Sequence, residues 1–292
     1  MVFLPLATMK TGDFRESLTL ALSRKYGKSE AFAIATTFIA HHLNLIPSQV
    51  SQQATTELSD ELMATLNSGK ELLLQGVPVQ YVLETAWFLD LPFYVNNKVL
   101  IPRPETEELV ILVSEYLKNQ NRKHIQLLDL GTGSGCIPIA LQKKHPDLIA
   151  TATDVSEEAL EVAKYNSERL KANVHFMQHD MSASAFPSSE KFDIIISNPP
   201  YIPPSEKSEM QEHVTNYEPH LALFTPFNDP LFFYKSIASI AVQHLKEEGS
   251  LFLEIHYDSG IAVKELLAGA GLLHVVVKQD ISGNDRFVIA TR

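Results

Sequence analysis

Along the first eighty residues the apolar positions recur at helical spacing. From Asp13 onward, Phe14, Leu18, Ala21, Leu22 and Tyr26 fall on one face, and Gly27 stands where a helix would stop. Ser29 can cap a second run carrying Phe32, Ile34, Phe38 and Ile39, and Pro47-Ser48 opens a further helical stretch. Leu58, Leu62, Leu66 and Leu73 continue the pattern over residues 56–74, before the breakers Gly76 and Pro78. No period recurs closely enough for a solenoid. The spacing predicts a small helical bundle over residues 1–82.

Residues 83–103 change character. Phe93-Tyr94-Val95 and Val99-Leu100-Ile101 flank the turn-prone pair Asn96-Asn97, which predicts a hairpin connector ahead of Pro102 and Pro104. From residue 104 to 292 the pattern alternates. Strands are predicted at 126–130, 148–154, 174–179, 192–197, 250–255, 273–278 and 286–291, with helices at 105–117, 156–171 and 229–245. Such alternation implies a mostly parallel sheet covered on both faces. The link at 279–285 is too short for a parallel crossover, so the last two strands should pair antiparallel.

Composition narrows the class. Of 292 residues 45% are hydrophobic, and the single Cys excludes an internal disulfide or a Cys-based zinc cluster. No apolar run approaches the roughly 18–20 residues that span a bilayer, and the N-terminus has no secretory pattern. A soluble, cytoplasmic protein is expected. Residues 1–70 are neutral, so residues 71–292 carry the whole charge of −11. That balance argues against gripping nucleic acid by its phosphates.

Two constellations carry chemistry. Asp129-Leu130-Gly131-Thr132-Gly133-Ser134-Gly135 follows a predicted strand and opens an apolar helix. Glycines there permit a tight turn and a close ligand approach. The dinucleotide fingerprint fails at Cys136, and no Gly-Lys-Ser/Thr follows, so a polyphosphate ligand is disfavoured. S-adenosylmethionine suits such a loop. Asp154 ends the second strand, where a carboxylate can accept from both ribose hydroxyls of an adenosine cofactor. Asp180-Met181 ends the third strand, where a side chain could flank the adenine.

The second constellation is Asn198-Pro199-Pro200-Tyr201, reached directly from a buried strand. Proline disfavours helix for the residue before it, which holds Asn198 and Pro199 extended. The Asn198 side-chain oxygen and the Pro199 carbonyl can each accept one hydrogen of a planar –NH2 group, with Tyr201 over its plane. Two fixed acceptors would orient a carboxamide nitrogen and stabilise the positive charge that develops as it attacks a methyl group. No strong base is needed beforehand, since the methylated nitrogen becomes acidic.

Together these residues resemble the PrmC/HemK family, whose members methylate the glutamine of the Gly-Gly-Gln motif in peptide-chain release factors. Gly76-Val-Pro-Val-Gln80-Tyr81, Leu100–Glu107, Tyr217–Phe224 and Gly283-Asn-Asp-Arg286 extend the resemblance over most of the chain. It implies a Rossmann-like α/β methyltransferase fold, with a seven-stranded sheet containing one antiparallel strand. It also implies a helical N-terminal domain that helps to bind the release factor. By the same resemblance Gly131–Gly135, Asp154, Met181 and Asn198 contact S-adenosylmethionine, leaving S-adenosylhomocysteine as product. Asn198–Tyr201 would hold the glutamine, with Ile101, Pro102, Arg103 and Pro104 beside it. Glu84, and His256 after Glu254-Ile255, stand where the family pattern has glycine.

Three alternatives fit parts of this pattern. DNA amino-methyltransferases share an Asn/Asp-Pro-Pro-aromatic motif but need a basic target-recognition region, which is missing here. A ribosomal-protein glutamine methyltransferase should carry Pro-Arg-Ser-Pro in place of Pro-Arg-Pro-Glu-Thr-Glu. A binding protein on the same fold has no use for an intact Asn-Pro-Pro-Tyr. Arg103 could pair with an acidic group or orient substrate. His175 and His179 are too far apart along a strand to chelate, so no metal is assigned, and a monomer is expected.

Overall fold

The computed structural model describes residues 9–120, 122–183 and 186–292, which form two compact units, 1–84 and 85–292. In the first unit, helix α1 (Thr11–His42) is interrupted at Gly27, whose φ of 73° lies in the left-handed region. A 3-10 turn, Pro47–Gln53, leads to α2 (Asp60–Gln75) and the short α3 (Val79–Val82). Helix α2 starts later than the apolar spacing predicts, because the Ser59 hydroxyl accepts from the Leu62 N–H and fixes the cap there. The residues before it run extended, with the Thr56 carbonyl accepting from the Thr11 N–H. Phe14, Leu18, Phe38, Ile39, Leu66 and Leu73 fill the core between these helices.

The second unit opens with a hairpin, β1 (Ala86–Phe88) and β2 (Leu91–Phe93). It lies earlier than the sequence pattern predicts. Its turn is Leu89-Asp90, both at positive φ (46° and 63°), a geometry that follows strand twist. The Leu89 N–H is held by Glu107 at 2.9 Å. Asn96 instead folds an Asx turn, its side-chain oxygen accepting from the Lys98 N–H.

Helix α4 (Pro104–Lys118) follows, with proline at its first position and Glu105 and Glu107 in its first turn, where the helix dipole favours negative charge. Then come β3 (Gln126–Leu130), α5 (Cys136–Lys144), β4 (Ile149–Asp154), α6 (Glu157–Leu170), β5 (Val174–Gln178) and β6 (Phe192–Ser197). Short helices α7 (Glu212–Tyr217) and α8 (His220–Leu223) precede α9 (Phe232–His244), β7 (Leu245–Glu254), α10 (Gly260–Gly269), β8 (Leu273–Gln279) and β9 (Asp285–Thr291).

The sheet order is β5-β4-β3-β6-β7-β9-β8. All neighbours are parallel except β9, which is antiparallel to both β7 and β8. Residues alternate across the sheet. Leu127, Ile194 and Ile196 face α4 and α5, whereas Leu128, Ile195 and Leu251 face α9 and α10. The chain leaves β3 toward β4 on one side and returns to β6 on the other, so strand order reverses between them. That switch point opens a crevice beyond the carboxyl ends of the strands, where open sheets bind ligands. Among the described residues, no helix is long and apolar enough to cross a membrane.

Candidate active site

Four strand ends deliver the site. After β3 the loop turns through Gly131, Gly133 and Gly135 at φ 77°, 53° and 80°. A side chain at Gly135 would meet Ile139 at 2.9 Å and Ala163 at 3.2 Å, so only glycine lets α5 pack against α6 here. At the end of β4, Asp154 accepts from the Gly133 N–H at 2.8 Å and, through its other oxygen, from the Ser156 N–H at 3.0 Å. Burial raises its pKa despite those backbone donors. From α6, Asn166 donates to the Ser134 carbonyl at 3.0 Å and clasps the backbone of Tyr94, tying the loop to the segment after β2.

A cavity of about 780 Å³ lies over this loop, within the roughly 300–1,000 Å³ usual for small-molecule sites. Gly131, Thr132, Gly133 and Ser134 form its floor with Asp154. Asp180 and Met181 line it as well, Asp180 accepting from the N–H and hydroxyl of Ser182. Asn198 and Pro200 reach it from β6, and Pro102 and Arg103 from the segment before α4. Gly135, Asp129, Ile101, Pro104, Pro199 and Tyr201 lie outside its lining. Phe227, Phe232 and Phe233 add an apolar rim, with Phe227 90% exposed and at φ 60°.

Several buried polar atoms here lack a partner: both carboxylate oxygens of Asp129, the Thr132 hydroxyl and Nε2 of His179. Burial pushes Asp129 up to about 7. Thr132 and His179 line the cavity, and unsatisfied groups there fit a polar ligand that would satisfy them.

Behind Asn198 lies a network. Its Nδ2 donates to Thr106 at 3.0 Å, and the Thr106 hydroxyl donates to Glu254 at 2.8 Å. Tyr201 donates to the other Glu254 oxygen at 3.3 Å. Burial pushes Glu254 up to about 7, against the pull of the Thr106 hydrogen bond and the Arg286 charge, and it raises Tyr201 as well. Arg103 forms an ion pair of 2.6 Å with Glu218, which also accepts from the Ile101 N–H at 3.1 Å. Of the two roles open to Arg103, the acidic partner is thus found, and it fixes residues 101–103 at the cavity edge.

The family model described as methyltransferase small domain matches residues 110–217, which contain both constellations. A release factor glutamine methyltransferase of Flavobacterium psychrophilum is 43% identical over 217 residues, covering 74% of this chain and 76% of that protein. One of Bacteroides thetaiotaomicron is 42% identical over 220 residues, covering 75% and 78%. The chain belongs to the release factor glutamine methyltransferases. A methyltransferase from Pyrococcus furiosus shares 19% identity at a TM-score of 0.50, covering 80% of this chain and 98% of that one. That likeness concerns the fold, and it agrees with a methyltransferase sheet of six parallel strands and one antiparallel.

Sequence reasoning passed over Thr106, Glu218 and Asn166 as individual residues. Thr106 and Glu218 lie within stretches that carried the family resemblance, yet their roles depend on partners 148 and 115 residues distant in sequence. A buried asparagine inside a helix pattern is the one signal that marks Asn166, since it demands partners. Glu254 drew notice only for the residues after it. His256, where the family pattern has glycine, sits beside Tyr201 and bonds Asp258 at 2.6 Å.

Proposed function

We propose that this chain transfers the methyl group of S-adenosylmethionine to the side-chain amide nitrogen (N5) of the glutamine in the Gly-Gly-Gln motif of peptide-chain release factors. S-adenosylhomocysteine is the other product. The observation that carries the reading is that the glycine loop, Asp154 and Asn198 border one cavity at the switch point.

The residues present fit the cofactor. Gly131–Ser134 allow its close approach, and Asp154 retains lone pairs for ribose hydroxyls beyond those used by Gly133 and Ser156. Asp180 and Met181 would flank the adenine, and the Thr132 hydroxyl would be offered to the amino acid end. Bound there, S-adenosylmethionine supplies an electrophilic methyl group on a sulfonium sulfur.

The chain's own groups act on the glutamine. Asn198 Oδ1 and the Pro199 carbonyl accept its two N–H groups, Tyr201 and Pro200 bound its plane, and Ile101–Pro104 line its approach. Acceptors held before the reaction stabilise the charge that grows on nitrogen as the N–C bond forms, and solvent takes the proton afterward. A monomer is taken as the working unit. A translation factor as substrate puts the reaction in the cytoplasm.

The test is mass spectrometry after incubation with S-adenosylmethionine. The expected result is one added methyl on a release factor and none when its motif glutamine is replaced. Methyl on duplex DNA, or on a ribosomal protein alone, would overturn the assignment.

A further inference from the structure

We infer that Glu254 is a positioning residue, which acts through Thr106 to fix the side-chain amide of Asn198 with its oxygen toward the cavity. This rests on the reading above, in which that oxygen accepts from the substrate nitrogen.

An asparagine amide is nearly symmetric in shape, so packing alone does not choose between its two orientations. The wrong one would present an NH2 to the NH2 of a glutamine, with no acceptor on either side. Something must break the symmetry, and three elements supply it. Thr106 is in the first turn of α4, Asn198 follows β6, and Glu254 ends β7.

The proton count decides the direction. Both Glu254 oxygens accept, one from the Thr106 hydroxyl and one from Tyr201, and a hydroxyl has one proton to give. Thr106 gives that proton to Glu254 at 2.8 Å, and so offers Asn198 only lone pairs, at 3.0 Å. Only the NH2 edge of Asn198 can meet a lone pair, so the oxygen edge turns away from Thr106. With the amide reversed, two oxygens would face each other in a buried place, since Thr106 and Glu254 are 3% and 1% exposed.

Glu254 is itself held. Its second oxygen accepts from Tyr201, and its backbone carbonyl accepts from the Tyr234 hydroxyl at 3.1 Å. Arg286 reaches the neighbouring Ile255 carbonyl at 3.3 Å, and its charge opposes the rise that burial imposes on the Glu254 carboxyl. The same carboxylate thus anchors both ends of the Asn-Pro-Pro-Tyr motif. Removing it should disturb orientation before it disturbs cofactor binding, because the Gly131–Ser134 loop and Asp154 make no bond to this relay.

Three full-length variants test the relay: Thr106→Val, Thr106→Ser and Glu254→Leu, the last removing the acceptor. With release factor as substrate, Thr106→Val and Glu254→Leu should lose roughly 10²-fold in kcat, the scale of a misplaced reacting group. Their S-adenosylmethionine Kd should stay close to wild type. Thr106→Ser keeps the hydroxyl and should recover most of the rate lost in Thr106→Val. Equal loss in Thr106→Ser and Thr106→Val, or full rate in Thr106→Val, would overturn the relay.

A second measurement needs no substrate. In ¹H–¹⁵N spectra the Asn198 side-chain NH2 should exchange slowly with water in wild type and Thr106→Ser, and quickly in Thr106→Val. Unchanged exchange in Thr106→Val would overturn the relay even if the release factor proves not to be the substrate. A wild-type enzyme that leaves the release factor unmethylated overturns only the functional reading.

Discussion

Asp154 and Gly133 are joined by a hydrogen bond of 2.8 Å, the carboxylate of one accepting from the backbone N–H of the other. The bond links the tips of neighbouring parallel strands, β4 and β3, and holds the loop after β3 open in its left-handed turns. The aspartate therefore has two tasks, shaping the glycine loop and facing the cavity that the loop borders.

Asp154→Asn keeps the volume but replaces one carboxylate oxygen with a donor. A hydrogen bond to a charged group contributes about 1.5–3 kcal/mol, so cofactor affinity should fall by roughly 10- to 150-fold. Isothermal titration with S-adenosylhomocysteine measures it. An unchanged Kd would remove Asp154 from the cofactor site.

Gly135→Ala asks a residue with a Cβ to adopt a φ of 80° and to enter the contact between Ile139 and Ala163. Left-handed backbone costs about 1–2 kcal/mol and overpacking about 1–3 more. Urea unfolding should show a loss of about 2–5 kcal/mol. The same substitution at Gly133, where nothing lies within 4 Å, should cost only the backbone part.

Asp129 makes stability depend on pH. Its folded pKa, raised by burial to about 7, exceeds its ordinary value of 3.8. The folded state therefore binds more protons than the unfolded chain between those values. Asp129 is without penalty below about pH 4, and stability is lost as pH rises through about 7. Asp129→Asn removes that titration. It should melt higher than wild type at pH 8, by about 2–4 kcal/mol, and the gap should close near pH 4. Parallel melting curves across that range would show that Asp129 does not titrate there.

Glu84 sits at φ 48° immediately after Leu83, the cap of α3. This is the position after a helix where glycine is favoured. Glu84→Gly should stabilise the 1–84 unit by about 0.5–1 kcal/mol, the relief of left-handed strain less the entropy glycine adds to the unfolded chain. Calorimetry reads the shift, and a lower melting temperature would mean that the Glu84 side chain is itself stabilising.

The strands of the main sheet were legible in the sequence, because buried parallel strands bounded by turn residues leave continuous apolar runs such as Phe192–Ser197. Strand β7 alone begins five residues earlier than its apolar run, since Leu245 pairs with Phe192. The glycine loop and Asn-Pro-Pro-Tyr were legible too, since loop and proline geometry are local properties of neighbouring residues. The connector hairpin was not legible. Its turn at Leu89-Asp90 carries no glycine or asparagine and is held by Glu107 from α4, a contact made only on folding.

Apolar spacing continues through Thr56–Leu58, whereas the Ser59 cap sets the start of α2. Which side chains stand behind the motif depends on the fold. Thr106, Asn198 and Glu254 come from a helix, a loop and a strand end far apart in sequence, and Arg103 finds Glu218 across a comparable separation. Local pattern constrains a residue's backbone and the face it presents. Hydrogen-bond direction among buried groups is set by the partners that the fold brings together.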